Sequence, residues 1–311
     1  MMVTNMMTTK DMETAMSKWT MIGVPSSAGA HHAGQDLAPQ ALRQAGLVDR
    51  ARAAGVDIED AGDLPGAVFA VDHEHPRARN LDAVVRVAGE VADAVAGHLD
   101  SGRLPLVVGG DCTITLGVIA GFQRHYPDVG LVYVDGEADL GTPDSDSAGI
   151  FDAMGVAHLL GGGAPELAGL AGTTPLLAAR RLALVGGDPR ETNEKSRAFL
   201  AETGVSFQEG PALIADPVAV AECALAAVAP ASGPVVVHFD VDTVDSGDLP
   251  LGNFPSYGSG LLLEHVVPCL RALRAHPSFA GLILTEVNPT YDPAGSQLDR
   301  YVDAIVTVLA G

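Results

Sequence analysis

Short runs of β-branched and aliphatic residues recur along the chain. Between many of them lie Ala-, Leu- and Arg-rich stretches whose apolar positions return every three to four residues. The short runs predict strands over Trp19–Val24, Leu104–Val108, Val129–Val134, Leu182–Val185, Val205–Gln208, Val235–Val241 and Leu282–Val287. The longer stretches predict helices, among them Leu81–His98, Ile114–Arg124, Glu194–Thr203, Pro217–Val228, Leu263–Ala275 and Gln297–Leu309. Strand and helix alternating in this way build an α/β fold: one parallel sheet with helices on both faces, a three-layer αβα arrangement. No stretch reads as an interdomain linker and no repeat is visible. The expected organisation is one domain over residues 18–311, preceded by a loose Met- and Thr-rich leader over residues 1–17.

Composition narrows the function classes. The chain has 311 residues, 39 Asp and Glu against 18 Lys and Arg, and a net charge of −21, which argues against nucleic acid because such a ligand needs a basic footprint. Hydrophobic residues at 47% are enough for a large core. No charge-free apolar run is long enough for a bilayer, so no membrane partner is expected. Cys112, Cys223 and Cys269 are odd in number and widely spaced, which suits neither a disulfide framework nor a zinc ribbon; a cytoplasmic location is the expectation.

The informative charges sit where predicted strands end. Four strands run into acids: Gly109-Gly110-Asp111-Cys112, Asp135-Gly136-Glu137-Ala138-Asp139, Asp240-Val241-Asp242-Thr243-Val244-Asp245 and Glu286-Val287-Asn288-Pro289. In open parallel sheets ligands bind just beyond those ends, so these acids should meet on one rim. In an extended segment Asp135, Glu137 and Asp139 share a face, as do Asp240 and Asp242. Carboxylates crowded in this way repel unless protonated or bridged by a cation, and divalent Mn²⁺ or Mg²⁺ suits oxygen ligands. The competing explanation is that each Asp caps the helix after its strand.

These segments, taken in order, resemble the ureohydrolases, the arginase and agmatinase superfamily. The likeness begins with Ile22-Gly23-Val24-Pro25-Ser26-Ser27, Gly34 and Pro39-Gln40-Ala41-Leu42-Arg43. It continues through Gly62-Asp63-Leu64-Pro65, at the family's second strand, to the four acidic segments above. The resemblance implies a two-manganese site that hydrolyses guanidino compounds to urea and an amine, in a homo-oligomer, usually a trimer or hexamer. It places Asp135 and Asp240 between both metals, Asp139 on the first and Asp242 on the second. The family completes each metal with a His, and here those two positions hold Cys112 and Glu137. Glu137 is a hard oxygen ligand; Cys112 is either a thiolate ligand or a small buried residue at a turn.

The resemblance also assigns roles. Asp139 would receive the hydrogen bond of the attacking hydroxide, and Glu286 would hold the guanidinium, a pairing that suits a bidentate planar cation. Arginases bind the α-carboxylate of arginine through Asn and Ser in the loop after this segment and use a His there as proton shuttle. The matching residues are Gly141, Ala148 and Asp152. Gly141 and Ala148 bring no side-chain donor, so the implied substrate is a small cationic guanidino or amidine compound other than free arginine. Asp152 is either a proton-transfer group or a helix-start carboxylate, and Glu191 and Glu194 fall where the family contacts a substrate amino group. Two further readings stay open: a non-catalytic arginase-fold protein that has lost its metals and binds a ligand or partner subunit, and the related single-zinc deacetylase branch, whose paired histidines are not visible. His238 shares a face with Asp240 and is read as a core or supporting hydrogen-bond group. His31 and His32 are read as solvated loop residues, and Phe254 and Tyr257, in the Gly/Pro-rich Leu251–Gly260 loop, either as shaping a pocket mouth or as packing it.

Overall fold

The computed structural model describes residues 18–145, 148–190, 192–229, 233–258 and 260–311; the leader at residues 1–17 lies outside them. Eight parallel strands form one sheet: β1 (Lys18–Gly23), β2 (Asp57–Asp63), β3 (Leu104–Val108), β4 (Gly130–Val134), β5 (Leu182–Gly187), β6 (Ser206–Glu209), β7 (Val235–Asp240) and β8 (Phe279–Thr285). Their order is β2-β1-β3-β8-β7-β4-β5-β6. The central strands β3, β8, β7 and β4 are buried throughout and mainly apolar, as expected for a sheet covered on both faces; their polar residues are His238, Asp240 and Thr285 towards the carboxyl ends of β7 and β8, and Tyr133 in β4. The strand β2 is the exception. It reads Asp-Ile-Glu-Asp-Ala-Gly-Asp, lies at the sheet edge and buries only Ile58, so the hydrophobic pattern gave no sign of it; the family likeness at Gly62-Asp63 did.

Two apolar layers sandwich the sheet. On one face the helices Ala38–Gln44, Leu47–Ala53, Pro217–Val228, Leu263–Arg274 and Ser296–Ala310 pack with Met21, Leu106, Val237 and Leu282. On the other, Leu81–Asp100 and Ile114–Gln123 pack with Ile22, Val107, Tyr133 and Ile283. Adjacent residues of one strand thus serve opposite layers, as the pleat requires. The pair Leu81–Asp100 and Ile114–Gln123 is packed closely. A Cβ on Gly117 would stand 2.4 Å from the Ala88 carbonyl oxygen, and one on Gly121 would stand 2.8 Å from that of Ala92. Helices of only four to six residues, Gly155–Leu159, Pro165–Ala168 and Gly210–Ala215, are too short to show a helical period in sequence. Among the described residues no helix is long and apolar enough to cross a membrane.

Candidate active site

The strands β3, β8, β7 and β4 stand side by side at the centre of the sheet, so their carboxyl ends open on one rim. Residues 111–112, 286, 240–242 and 135–139, dispersed in the sequence, become neighbours there. The β3 turn depends on two left-handed glycines, Gly109 (φ 86°) and Gly110 (φ 91°). A Cβ on Gly109 would meet the Pro39 ring at 2.5 Å, so side chains are excluded on both counts. This turn aims the Cys112 N–H at Asp152 Oδ1 (3.0 Å) and Glu286 Oε1 (3.1 Å). Asp111 faces away and accepts from the Gly29 N–H at 2.9 Å and from the Thr113 hydroxyl, which pins the loop after β1.

The ends of β4 and β7 repeat one device. Asp135 Oδ1 accepts the Glu137 N–H at 2.6 Å, and Asp240 Oδ1 accepts the Asp242 N–H at 2.8 Å. Each Asp closes its own turn with one oxygen and keeps the other for the rim. The capping and ligand readings of these acids are therefore compatible. Asp240 Oδ2 receives the Cys112 thiol at 2.6 Å. Asp139 Oδ2 receives the Tyr133 hydroxyl at 2.6 Å, and Glu286 Oε2 receives the Gln35 amide at 2.9 Å. Asp139 (φ 47°) and Glu286 (φ 64°) sit in left-handed backbone, which costs an L-residue on the order of 1 kcal/mol.

His238 lies behind these acids. Its ring stacks on Tyr133 with centroids 3.8 Å apart, and Nδ1 is 2.8 Å from the Thr115 hydroxyl. Nε2 lies 3.3 Å from the Thr285 hydroxyl and 3.7 Å from the Cys112 sulfur. Burial lowers the imidazole to about 3, so it is neutral. Tyr133 and Gln35, which orient Asp139 and Glu286, were not singled out in the sequence. The signal for Tyr133 was its position two residues before Asp135 on a strand.

Burial dominates the electrostatics. Asp135, Asp139, Asp240 and Glu286 are each at most 8% exposed and held well above the usual carboxylate range, first by desolvation and then by the charges of neighbouring carboxylates, Asp152 and Asp242 among them. Desolvation also pushes Asp152 up to about 7, with the Asp111 charge adding to it, and Asp242 up to about 6. Desolvation and then Asp240 raise the Cys112 thiol well above its ordinary value. Asp152 Oδ2 and Asp242 Oδ1 are buried with no hydrogen-bond partner.

This donor set fits a divalent cation. Donor atoms of Cys112, Asp135, His238 and Asp240 lie within 4.8 Å of one another, as do those of Cys112, Asp152 and Glu286. Bound positive charge would restore the ionised form to these acids and engage the orphaned oxygens.

The segment 135–139 differs from its extended reading. The strand β4 stops at Val134 and the chain turns, so Asp135 and Asp139 are buried while Glu137 is exposed. Glu137 lines an inner space of about 20 Å³ that reaches Cys112, Asp135, Asp139, Asp152, Asp240, Asp242, Phe254 and Glu286. It also lines an outer cavity of about 430 Å³ walled by Gly186, Asp188, Arg190, Asp242, Phe254 and Tyr257. The inner space has room for one water-sized particle. His31 and His32 are half-buried rather than freely solvated: His31 packs on Phe254 with centroids 4.4 Å apart, and His32 lies 3.1 Å from the Tyr291 hydroxyl. Glu191 lies outside the described residues.

The raised acids set a pH dependence. Between about pH 4 and pH 7 the folded, metal-free protein holds protons on Asp152 and Asp242 that the unfolded chain has released. Stability should therefore fall with rising pH across this window, by up to about 1.4 kcal/mol per pH unit for each extra proton held. We expect chelator-treated protein to melt lower at about pH 7.5 than at about pH 5, and Mn²⁺ to stabilise it more at the higher pH. A metal-free melting temperature that is flat or rises over this range would contradict the assignment.

The family model of the arginase family matches residues 17–310. The chain belongs to the arginase family. It is 31% identical to the arginase of Bacillus caldovelox over 282 residues, covering 89% of this chain and 93% of that protein. It is 27% identical to human arginase-1 over 295 residues, covering 93% and 90%. The solved structure of the B. caldovelox arginase superposes with a TM-score of 0.83 at 27% identity, covering 95% of this chain and 99% of that one. Arginase-family membership accounts for the eight-stranded parallel sheet with helices on both faces. It also makes amidine C–N hydrolysis the reaction class to which the rim belongs.

Proposed function

We propose that the chain is a divergent metallohydrolase that cleaves the C–N bond of a guanidino compound other than free arginine, releasing urea or a urea analogue and an amine. The observation that carries this reading is the convergence of Asp135, Asp139, Asp240, Asp242, Asp152 and Glu286 around one small space at the base of an open cavity. Two divalent cations, Mn²⁺ by family likeness, would be held by Cys112, Asp135, Asp139, Asp240 and Asp242, with Glu137 at the mouth. When bound, they would supply Lewis acidity that activates water at neutral pH.

The chain's own groups do the rest. Glu286, oriented by Gln35 and the Cys112 N–H, faces the inner space and pairs with the planar cation. Asp139, fixed by Tyr133, accepts the hydrogen bond of the attacking water. Asp152, titrating near neutrality, hands a proton to the leaving amine. Glu191 is assigned a contact with a substrate amino group on family likeness alone. A homo-oligomer, trimer or hexamer, in the cytoplasm goes with this reading.

Two observations favour a second reading, a metal-free ligand- or partner-binding protein. The Cys112 thiol satisfies Asp240 directly, and Glu137 stands exposed where the family places a His. Elemental analysis after incubation with Mn²⁺ and dialysis separates the two. About two equivalents of metal with urea release from a guanidino panel is the expected result. Protein that retains no metal and releases no urea would sink the hydrolase reading and leave the second.

A further inference from the structure

The outer cavity joins the acidic rim through Glu137, Asp242 and Phe254. Its wall also carries Arg190, the one Lys or Arg that lines it among the described residues. Arg190 follows β5, three strands from β8, and the ends of these two strands are roughly 14 Å apart. The guanidinium is held in a fixed attitude. Its Nε lies 3.3 Å from both oxygens of Asp188 and its Nη2 lies 3.0 Å from Oδ2, while the Arg190 N–H donates to Oδ1 at 2.9 Å. Asp188 is itself buried, and its N–H donates to the Gly136 carbonyl at 2.8 Å, so the pair is anchored to the turn after β4.

This geometry spends the Nε/Nη2 edge of the fork on Asp188. The Nη1/Nη2 edge stays open on a side chain that is 58% exposed. A guanidinium with one edge pinned and the other open is preorganised for a second, planar anion. Asp188, with both oxygens engaged, is not available to a substrate ammonium unless Arg190 is displaced.

We propose that Arg190 selects substrates with an anionic tail: an ω-guanidino or ω-amidino carboxylate whose cationic head enters the acidic rim and whose carboxylate docks on the open edge of Arg190. The inference rests on the functional reading above for the head group and adds the chemistry of the tail. A short aliphatic spacer fits the strand separation. The site is then bipolar, as a zwitterion is.

The test is titration calorimetry on Mn²⁺-incubated protein with 4-guanidinobutyrate, the neutral-tailed butylguanidine and the cationic-tailed agmatine. We expect 4-guanidinobutyrate to bind at least about tenfold more tightly than butylguanidine, and agmatine no better than butylguanidine. Arg190→Ala should erase the advantage of the acid and leave butylguanidine unchanged. Unchanged butylguanidine binding also shows that the site is still folded with Asp188 unpaired. Arg190→Lys, which keeps Asp188 paired but loses the fork, should retain only part of the advantage.

Equal binding of the acid and butylguanidine, or an equal loss of both in Arg190→Ala, would overturn the proposal and make the pair with Asp188 structural only. Binding of neither ligand would overturn it as well. Urea release is scored separately. Arg190-dependent binding without turnover would remove the hydrolase reading and keep this one, whereas turnover without tail preference would do the reverse.

Discussion

Asp240→Asn is expected to abolish metal retention and lower urea release by at least about 10³-fold, while the metal-free variant is as stable as its parent or more so. The sign on stability is the diagnostic part. Asp240 is 1% exposed, and its carboxyl is raised by burial and by the charges of Asp242, Asp135 and Glu286. Without metal, burial and the neighbouring charges oppose ionisation of this carboxyl, so its replacement by a neutral amide forfeits no stabilising charge. Asn keeps an oxygen for the Asp242 N–H that closes the turn, so the backbone at the end of β7 has no reason to move. An ordinary core position would lose stability on such a change; a position built for a cation should not. Elemental analysis, urea release and thermal melting of the two proteins decide it. Full metal content in the variant would remove Asp240 from the ligand set.

Glu286→Gln should reduce kcat/KM for the guanidino substrate by about 10² to 10³-fold with metal content and melting temperature little changed. Gln is nearly isosteric: its one amide oxygen can accept the Cys112 N–H, and its new NH2 can donate to Gln35 once that amide flips to present its unpartnered oxygen. What it lacks is the charge that pairs with a planar cation at a buried position, where such a pair is stronger than at the surface. Unchanged metal content would place Glu286 on the substrate rather than among the ligands. Wild-type kcat/KM in the variant would remove Glu286 from the reaction.

Much of this architecture was legible because buried parallel strands write themselves as apolar runs and their acidic ends stand out against them. The runs at 104–108, 130–134, 182–187 and 235–240 all fall where the pattern put them, within a residue or two. The edge strand β2 escaped because only Ile58 of its seven residues is buried, which leaves no period to detect. At the site, Asp135, Asp139, Asp240 and Asp242 came together at the inner space. Glu137 also lines that space, but from a turn rather than an extended segment: the Asp135 side chain closes the turn and leaves Glu137 exposed at the mouth. Gln35 and the pair Asp188–Arg190 carry no local signature. They reach the site only through strand order, which depends on contacts distant in sequence.

That order has a consequence for how the molecule is made. The strand β8 lies between β3 and β7, so the middle of the sheet is filled by residues 279–285. Until these have left the ribosome, the nascent chain holds β2-β1-β3 and β7-β4-β5-β6 as two separate pieces. Cys112 belongs to the first piece, and Asp135, Asp139, Asp240 and Asp242 to the second. Joining them depends on pairing across more than 150 residues of chain, from Leu106 to Leu282, a slow kind of step in folding. The carboxylate rim is thus assembled after translation has passed residue 285, and a truncated product cannot offer the complete set of donors to a metal.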